Sequence, residues 1–393
     1  MELLVLITVL IVIVAIAKVM RSHELSTQLV DDEEYVSLSE IKTQGFLYAL
    51  FGVLLFGSLL AQMAGWGKFL LPVSASEHGD KIDNLFWVTM YLILFVFFLT
   101  HTFLFAFIFK YYKKKDQKAL WFPHNNKLEM VWTIIPAIVL LSLVFYGLST
   151  WDAVINPEED KNTVEVELVG EQFKWTAHYS GKDNQLGKVN FSTITSSNSL
   201  GIVTSATLDS ALVGTIASIV QLEGQVKVLD SLVENGWSGK SEELSEAETQ
   251  LSAWKANERR LRKMIAEKGN YSVAQDDIII RDTLFLCKGK NHHFTFRSKD
   301  IIHSAYFPHF RAQMNCVPGM STQFTFKPRY TAEEMKVEAA KEGKTFYSYE
   351  LVCNKICGAS HYKMRFPIVV LEQKDFDAKM KAAKTFGDEI VGN

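Results

Sequence analysis

The sequence predicts a membrane-anchored α plus β protein: transmembrane helices followed by a water-soluble β-domain that is interrupted by a helical hairpin. Three observations carry this. Apolar residues gather in four runs, near 3–20, 46–66, 85–109 and 130–150. Each approaches the roughly 20 residues that cross a bilayer as a helix. Beyond Trp151 the chain turns polar and falls into short segments that alternate apolar and polar residues, the period of a half-buried strand. Between 205 and 267 that period gives way to helical steps of three and four.

The composition is consistent with this division. The chain has 393 residues, 48% of them hydrophobic, and a net charge of only -3, which leaves room for more than one domain and provides no basic excess for nucleic acid. We read 1–151 as a membrane anchor of about four helices and 152–393 as the β-domain, with an insertion over 190–275. The first run has an acid before it and its bases, Lys18 and Arg21, behind it. A secretory signal shows the reverse order, so a retained helix with its N-terminus outside is expected. Lys18 and Arg21, and then Lys110, Lys113, Lys114, Lys115 and Lys118, place the segments on either side of the second and third runs in the cytoplasm. The segment WGKFLLPVSASEHGDKIDN is poor in cations and falls outside, and the fourth helix delivers the β-domain to the same side.

Strand character starts in TVEVELVGEQFKWTAHY and resumes, some 90 residues later, in DDIIIRDTLFL. In the intervening insertion Leu208, Leu212, Ile216, Ile219, Val226, Leu229 and Val233 recur on one helical stripe. Leu244, Ala247, Leu251, Trp254, Leu261 and Ile265 recur on another. NGWSG turns the chain between them, so an antiparallel hairpin with facing apolar stripes is expected. It is either a self-contained ornament or an arm that docks another complex. RYTAEEMKVEAAKEGKTF reads as a polar helical excursion, and RFPIVVLEQ as the closing strand.

The chemistry is concentrated in CNKICGASHYKM, Cys353 to Met364. A tight loop can turn both thiols to one side, with His361 and Met364 following at four and three residues; His303, about fifty residues upstream, supplies a second imidazole from a neighbouring strand. Thiolate, imidazole and thioether are soft ligands of the kind copper favours. A disulfide between Cys353 and Cys357, or a zinc site with one histidine, are the plainer readings. Neither accounts for Met364 or for the second histidine. Cys287 and Cys316 lack partners at metal spacing and read as buried thiols, and His292, His293 and His309 as packing or surface residues.

The order His303, Cys353, Cys357, His361, Met364 resembles subunit II of the haem-copper cytochrome c oxidases of the copper-A type. A second stretch, LEMVWTIIPAIVLL, is similar to that family's E-x-x-W-T-x-x-P-A pattern at Glu129, Trp132 and Pro136. The resemblance implies a cupredoxin-like Greek-key barrel outside a bacterial-type inner membrane, on the periplasmic side. It implies two copper ions held by the five side chains and by the backbone carbonyl of Lys355. Electrons would arrive from a cytochrome c, soluble or fused to another complex, and leave for haem in subunit I, where oxygen reduction and proton pumping take place; this chain alone would not reduce oxygen. Partners implied are subunit I, other oxidase subunits, membrane lipid and, through the hairpin, a quinol-oxidising complex.

Departures from the family accompany the match. Phe173 stands where the family has the tryptophan that receives electrons, two before the retained Trp175, which points to a donor other than a standard soluble cytochrome. Lys355 and Asn315 replace a glutamate and an aspartate that help build a magnesium site in the family, and an ammonium is no ligand for a hard cation. Glu129 has two readings, the mouth of a proton-uptake route or an acid that stabilises its helix N-terminus. The extra N-terminal helix and the hairpin have no counterpart. Rival functions are a quinol oxidase subunit II, which lacks the copper ligands, a nitrous-oxide reductase, which would need a second histidine-rich domain, and a non-redox structural module.

Overall fold

The computed structural model describes residues 14–23, 38–114, 118, 120–157, 160 and 162–391. The expected first membrane helix therefore lies largely outside the described residues, of which 14–23 are helical. Three long helices follow: α1 (Leu38–Trp66), α2 (Gly79–Lys110) and α3 (Asn126–Ile155). Each is long and apolar enough to cross a membrane. Phenylalanines knit α1 to α2, with ring centroids 5.0 Å apart for Phe56 and Phe98 and 5.9 Å for Phe51 and Phe105. α3 starts with a reciprocal cap. The Leu128 amide donates to the Asn125 side chain at 3.1 Å, and the Asn125 amide donates to the Glu129 carboxylate at 3.3 Å. Glu129 thus satisfies a backbone donor at the positive end of the helix. Pro136 sits inside α3 and leaves the carbonyl one turn back without its helical donor.

The β-domain consists of two five-stranded sheets. Its strands are β1 (Val164–Glu171), β2 (Lys174–Tyr179), β3 (Ile278–Ile280), β4 (Leu284–Cys287), β5 (His292–Ser298), β6 (His303–Phe307), β7 (Ala312–Cys316), β8 (Thr322–Phe326), β9 (Tyr349–Cys353) and β10 (Arg365–Leu371). One sheet runs β3-β2-β1-β5-β8 and the other β4-β10-β9-β6-β7. β1 pairs with β5 and β10 with β4 in parallel, and every other pair is antiparallel. Alternation in the sequence dictates what faces inward: Val166, Leu168, Phe294, Phe296, Phe307, Phe326, Leu351 and Phe366 fill one buried cluster. Rings dominate it, with Phe294 stacked on Phe326 at 5.0 Å and Phe307 5.3 Å from Phe326. Such pairs contribute roughly 0.5–1.5 kcal/mol each beyond the area they bury. This rigid floor underlies the loops at one end of the sandwich.

The connection between α1 and α2 is stitched onto the same domain. Ala75 is fully buried; its amide donates to the His309 carbonyl at 2.7 Å and its carbonyl accepts from Arg329 at 2.8 Å. Arg311 donates to Asp83 at 2.6 and 2.8 Å, and Arg329 to Asp80 at 2.5 and 3.0 Å. The segment that charge placed outside is therefore on the same side as the β-domain.

The insertion contains α4 (Ser205–Glu234) and α5 (Ser241–Ala266), turned at Gly236. α4 is also apolar enough to pass as a membrane span, yet Leu208, Ile219, Leu222 and Leu229 are buried within the β-domain's own insertion. Two residues expected on the facing stripes are not buried there: Ile216 is 37% and Trp254 38% exposed. Trp254 instead lines a groove bounded by α4, α5 and the 191–195 turn. The polar excursion forms α6 (Ala332–Lys341), capped by Thr331 and Glu334, and α7 (Gln373–Ala382) and α8 (Phe386–Val391) end the chain.

One feature was hidden by the strand alternation. Glu167, His178, Asp277 and Arg297 lie on the outer side of the first sheet, where solvent is expected. The insertion and α8 cover that face through Leu200, Ile202, Ala274 and Phe386. His178 donates to Glu167 at 3.0 Å and to Asp277 at 2.7 Å, and Arg297 forks onto Glu167 at 2.5 and 2.9 Å. Asp277 also accepts the Gly187 amide at 2.8 Å, so the network ties the insertion to the sheet. Burial disfavours the charge on His178, but the bonds to Asp277 and Glu167 outweigh it and push its pKa up to about 9. Burial likewise opposes charge on Glu167, and the bonds from His178 and Arg297 outweigh it, down to about 2.

For His178 the folded value exceeds the ordinary 6.5, so its stabilisation is complete below that pH and is lost as pH rises through about 9. For Glu167 the folded value lies below the ordinary 4.5, so its share is complete above that pH and is lost only as pH falls towards 2. Thermal unfolding followed by circular dichroism between pH 6 and 10 is expected to show a loss of roughly 3 kcal/mol. A His178→Gln variant is less stable at pH 6 and lacks that alkaline slope. A slope unchanged in the variant assigns it to another group.

Candidate metal centre

Three loops meet at one end of the sandwich: the β1–β2 turn, the β5–β6 connection and the loop between β9 and β10. Pairing sets the first two ligand positions. His303 opens β6 and Cys353 closes β9, and these strands are neighbours, with Ala305 opposite Cys353. After Cys353 the chain leaves the sheet, turns at Gly358, makes a single helical turn at His361–Lys363 and returns into β10 at Arg365. That short excursion is what folds Cys357, His361 and Met364 back over Cys353. Gly358 has φ +133°, which side-chain-bearing residues rarely adopt, and the Phe173 ring lies 3.0 Å from where its Cβ would be.

The expected donors converge. Cys353 Sγ lies 3.9 Å from His303 Nδ1, 3.9 Å from Cys357 Sγ and 3.2 Å from the Lys355 carbonyl oxygen. Cys357 Sγ lies 3.6 Å from His361 Nδ1 and 3.7 Å from Met364 Sδ. Both cysteines are free, and His303, Cys353, Cys357 and Met364 are buried. At 3.9 Å the two sulfurs stand well beyond the roughly 2.05 Å of a disulfide. Six donors also exceed what a tetrahedral zinc ion takes, and a thioether is foreign to zinc sites. The set suits two soft metal ions sharing two thiolates. Burial first, and the neighbouring Cys353 thiol second, push the Cys357 pKa up to about 11. Metal uptake must therefore displace protons.

Around the donors is a layer of residues that the sequence reading did not identify. His303 Nε2–H donates to Asp300 at 2.7 Å, which fixes the tautomer and leaves Nδ1 free to ligate. Asp300 in turn accepts the Gln172 amide at 2.6 Å, and the Gln172 side chain donates to the Cys357 carbonyl at 2.5 Å. Asp300 lies three residues before His303, a spacing that could have been noticed. Gln172 acts only through the fold. Gly170 is required by crowding: a Cβ there would lie 3.0 Å from the Trp175 ring and 3.1 Å from His303.

The remaining expected residues are placed as follows. Trp175 is buried, its ring 6.0 Å from that of His303 and its indole N–H 3.5 Å from the Met364 carbonyl. Phe173 is half-buried on the β1–β2 turn beside Gly358. Lys355 and Asn315 are exposed. Glu129 belongs to the helical anchor and is not among the residues gathered here. Cys287 and Cys316 are buried free thiols, and burial pushes Cys316 up to about 12. His292 is a packing residue, accepting the Cys287 amide at 3.0 Å. His293 and His309 are partly buried and remote from the donor set.

Asp300→Ala is expected to lower affinity for a thiophilic metal roughly 10–100-fold while leaving the fold intact, because it frees the imidazole it now orients. Titration of the metal-free chain against a competing chelator measures this. An unchanged affinity removes Asp300 from the site.

Residues 64–150 match the family model described as cytochrome c oxidase subunit II, transmembrane domain. The alternative cytochrome c oxidase subunit 2 of Bradyrhizobium diazoefficiens is 24% identical over 308 residues, spanning 78% of this chain and 80% of that one. Cytochrome c oxidase subunit 2 of Thermostichus vulcanus is 21% identical over 324 residues, spanning 81% and 80%. Among solved structures, the periplasmic domain of subunit II of cytochrome oxidase from Bradyrhizobium japonicum aligns at 12% identity and a TM-score of 0.26, over 57% of this chain and 95% of that one.

Proposed function

We propose that this chain is a subunit II of a cytochrome c oxidase, as its match to that family's transmembrane-domain model and to its curated relatives supports, and that its task is to accept electrons from a cytochrome c at a two-copper centre and pass them to haem in subunit I. The observation that carries this is the convergence of His303, Cys353, Cys357, His361, Met364 and the Lys355 carbonyl. Two copper ions held by that set would supply a one-electron relay. The chain's own residues keep that relay dry and rigid. His303 is clamped between Asp300 and the Trp175 ring, Met364 is buried at the start of β10, and the aromatic floor admits little rearrangement. Small geometric change on gaining or losing an electron favours fast transfer.

His361 is half-buried and its loop carries the exposed Ile356 and Tyr362, so the centre lies one residue below the surface there. Phe173, with Trp175 behind it beside His303, is our candidate path for arriving electrons. Glu129 is our candidate for a proton-uptake role in the assembled oxidase, in addition to the cap it makes. The anchor makes this a membrane protein. We place the β-domain on the periplasmic side of a bacterial inner membrane, with subunit I and other oxidase subunits as neighbours. Oxygen reduction and proton pumping fall to those chains. A quinol oxidase subunit II is the second reading; the complete donor set argues against it.

Copper reconstitution of the purified full chain is expected to bind two coppers per chain and to give a purple, near-infrared-absorbing species. Cys353→Ser or Cys357→Ser loses both, whereas Lys355→Ala keeps both, because ligation there uses the main chain. One copper per chain, or a colourless zinc protein, overturns the proposal. Labelling of single cysteines from outside intact cells tests the topology: a site beside Glu158 should react and one beside Lys114 should not.

A further inference from the structure

We propose that the groove beside α4 and α5 is a binding site for a small aromatic anion, separate from the metal centre. It lies between the two helices and the 191–195 turn and has a volume of about 710 Å³. Sites for small organic ligands span roughly 300–1,000 Å³ and are mostly apolar with a few converging polar groups. The groove has that character. Its walls carry the rings of Phe191 and Trp254, 66% and 38% exposed. Small residues keep the floor open: at Gly214 an added Cβ would meet no atom within 4 Å.

One charged group specifies the ligand. The Arg260 guanidinium lies 4.6 Å from the Phe191 ring centre and 3.5 Å from the Ser192 hydroxyl, and no carboxylate pairs with it among the described residues. A planar cation stacked on a ring and lacking a counter-ion suits an anionic substituent on a flat body. The Asn257 side chain donates to the Thr215 hydroxyl at 3.3 Å, while its buried Oδ1 has no partner. If the amide is turned over, its nitrogen is the orphan instead. In both orientations one buried polar atom lacks its hydrogen bond, but it is closed to the groove and offers a ligand no contact.

The groove also accounts for what the hairpin's own packing does not. Trp254 occupies a position that the helical period assigns to the interface between α4 and α5, yet it lines the opening. Asn257, one turn further along α5, faces α4 and bonds Thr215 across the seam.

The test is calorimetry on the full chain held in amphipol, with naphthalene-2-sulfonate as the anionic probe and naphthalene-2-methanol as its neutral counterpart. One saturable site is expected for the sulfonate, with the neutral compound at least about tenfold weaker. Gly214→Leu, which fills the floor, abolishes binding, and Ala253→Leu does the same from the opposite helix. Arg260→Gln brings the two probes to equal affinity. Circular dichroism and copper content, unchanged in all three variants, separate loss of the groove from loss of the fold and from failure of the copper assignment. Absence of saturable binding to the parent chain at millimolar probe overturns the proposal. So does binding that survives both filling substitutions, or a preference for the anion that survives Arg260→Gln.

Discussion

The hydrogen bond from His303 to Asp300 is the contact on which the donor set depends. A histidine at the start of a strand is free to turn about two bonds, and only one of the resulting orientations aims Nδ1 at Cys353. Asp300 selects it, Gly170 leaves the space for it, and Trp175 closes the space behind it. Asp300 is itself held by the Gln172 amide, and Gln172 reaches on to the Cys357 carbonyl. One carboxylate therefore couples all three loops, and the position of each thiol is set by residues that bear no ligand.

Below that end of the domain the stability is of a different kind. The aromatic cluster is non-directional and tolerant, whereas the loops rest on single hydrogen bonds with defined partners. The first sets a rigid platform, and the second places atoms on it to within a few tenths of an ångström. The outer face of the first sheet combines both modes. Its apolar residues are covered by the insertion, and a charge network of Glu167, His178, Asp277 and Arg297 sits among them. Such a network is costly to bury and fixes which segment can lie there.

Much of this was legible in the chain. Hydropathy located α1, α2 and α3, because a bilayer imposes a length and a composition that few other structures share. The ligand loop was legible for a similar reason: soft donors are rare, and five in one order leave few other purposes. The buried charges were not legible. Glu167 and His178 occupy polar positions of an alternating strand, and whether the polar face meets water or another segment depends on contacts about a hundred residues away in sequence. Ile216 and Trp254 mislead in the opposite direction. Periodicity reports which side of a helix is apolar, and it is blind to which residues of that side the neighbouring segments cover. Asp300 and Gln172 were missed because a supporting residue needs only one atom in one place, which leaves no pattern.

The strap between α1 and α2 bears on how this protein can be taken apart. Ala75 and Ser76 are fully buried in the β-domain, and Ser76 donates to the Phe310 carbonyl at 2.7 Å, across 234 positions of sequence. Truncation at the last membrane helix removes that strap. His309 and Arg329 would lose backbone partners, Arg311 would lose Asp83, and the Phe310 carbonyl would lose the Ser76 hydroxyl. The soluble part is thus not a module hung from an anchor. It is finished by a piece of the anchor, and a faithful minimal form of it has to be spliced from two stretches of the chain.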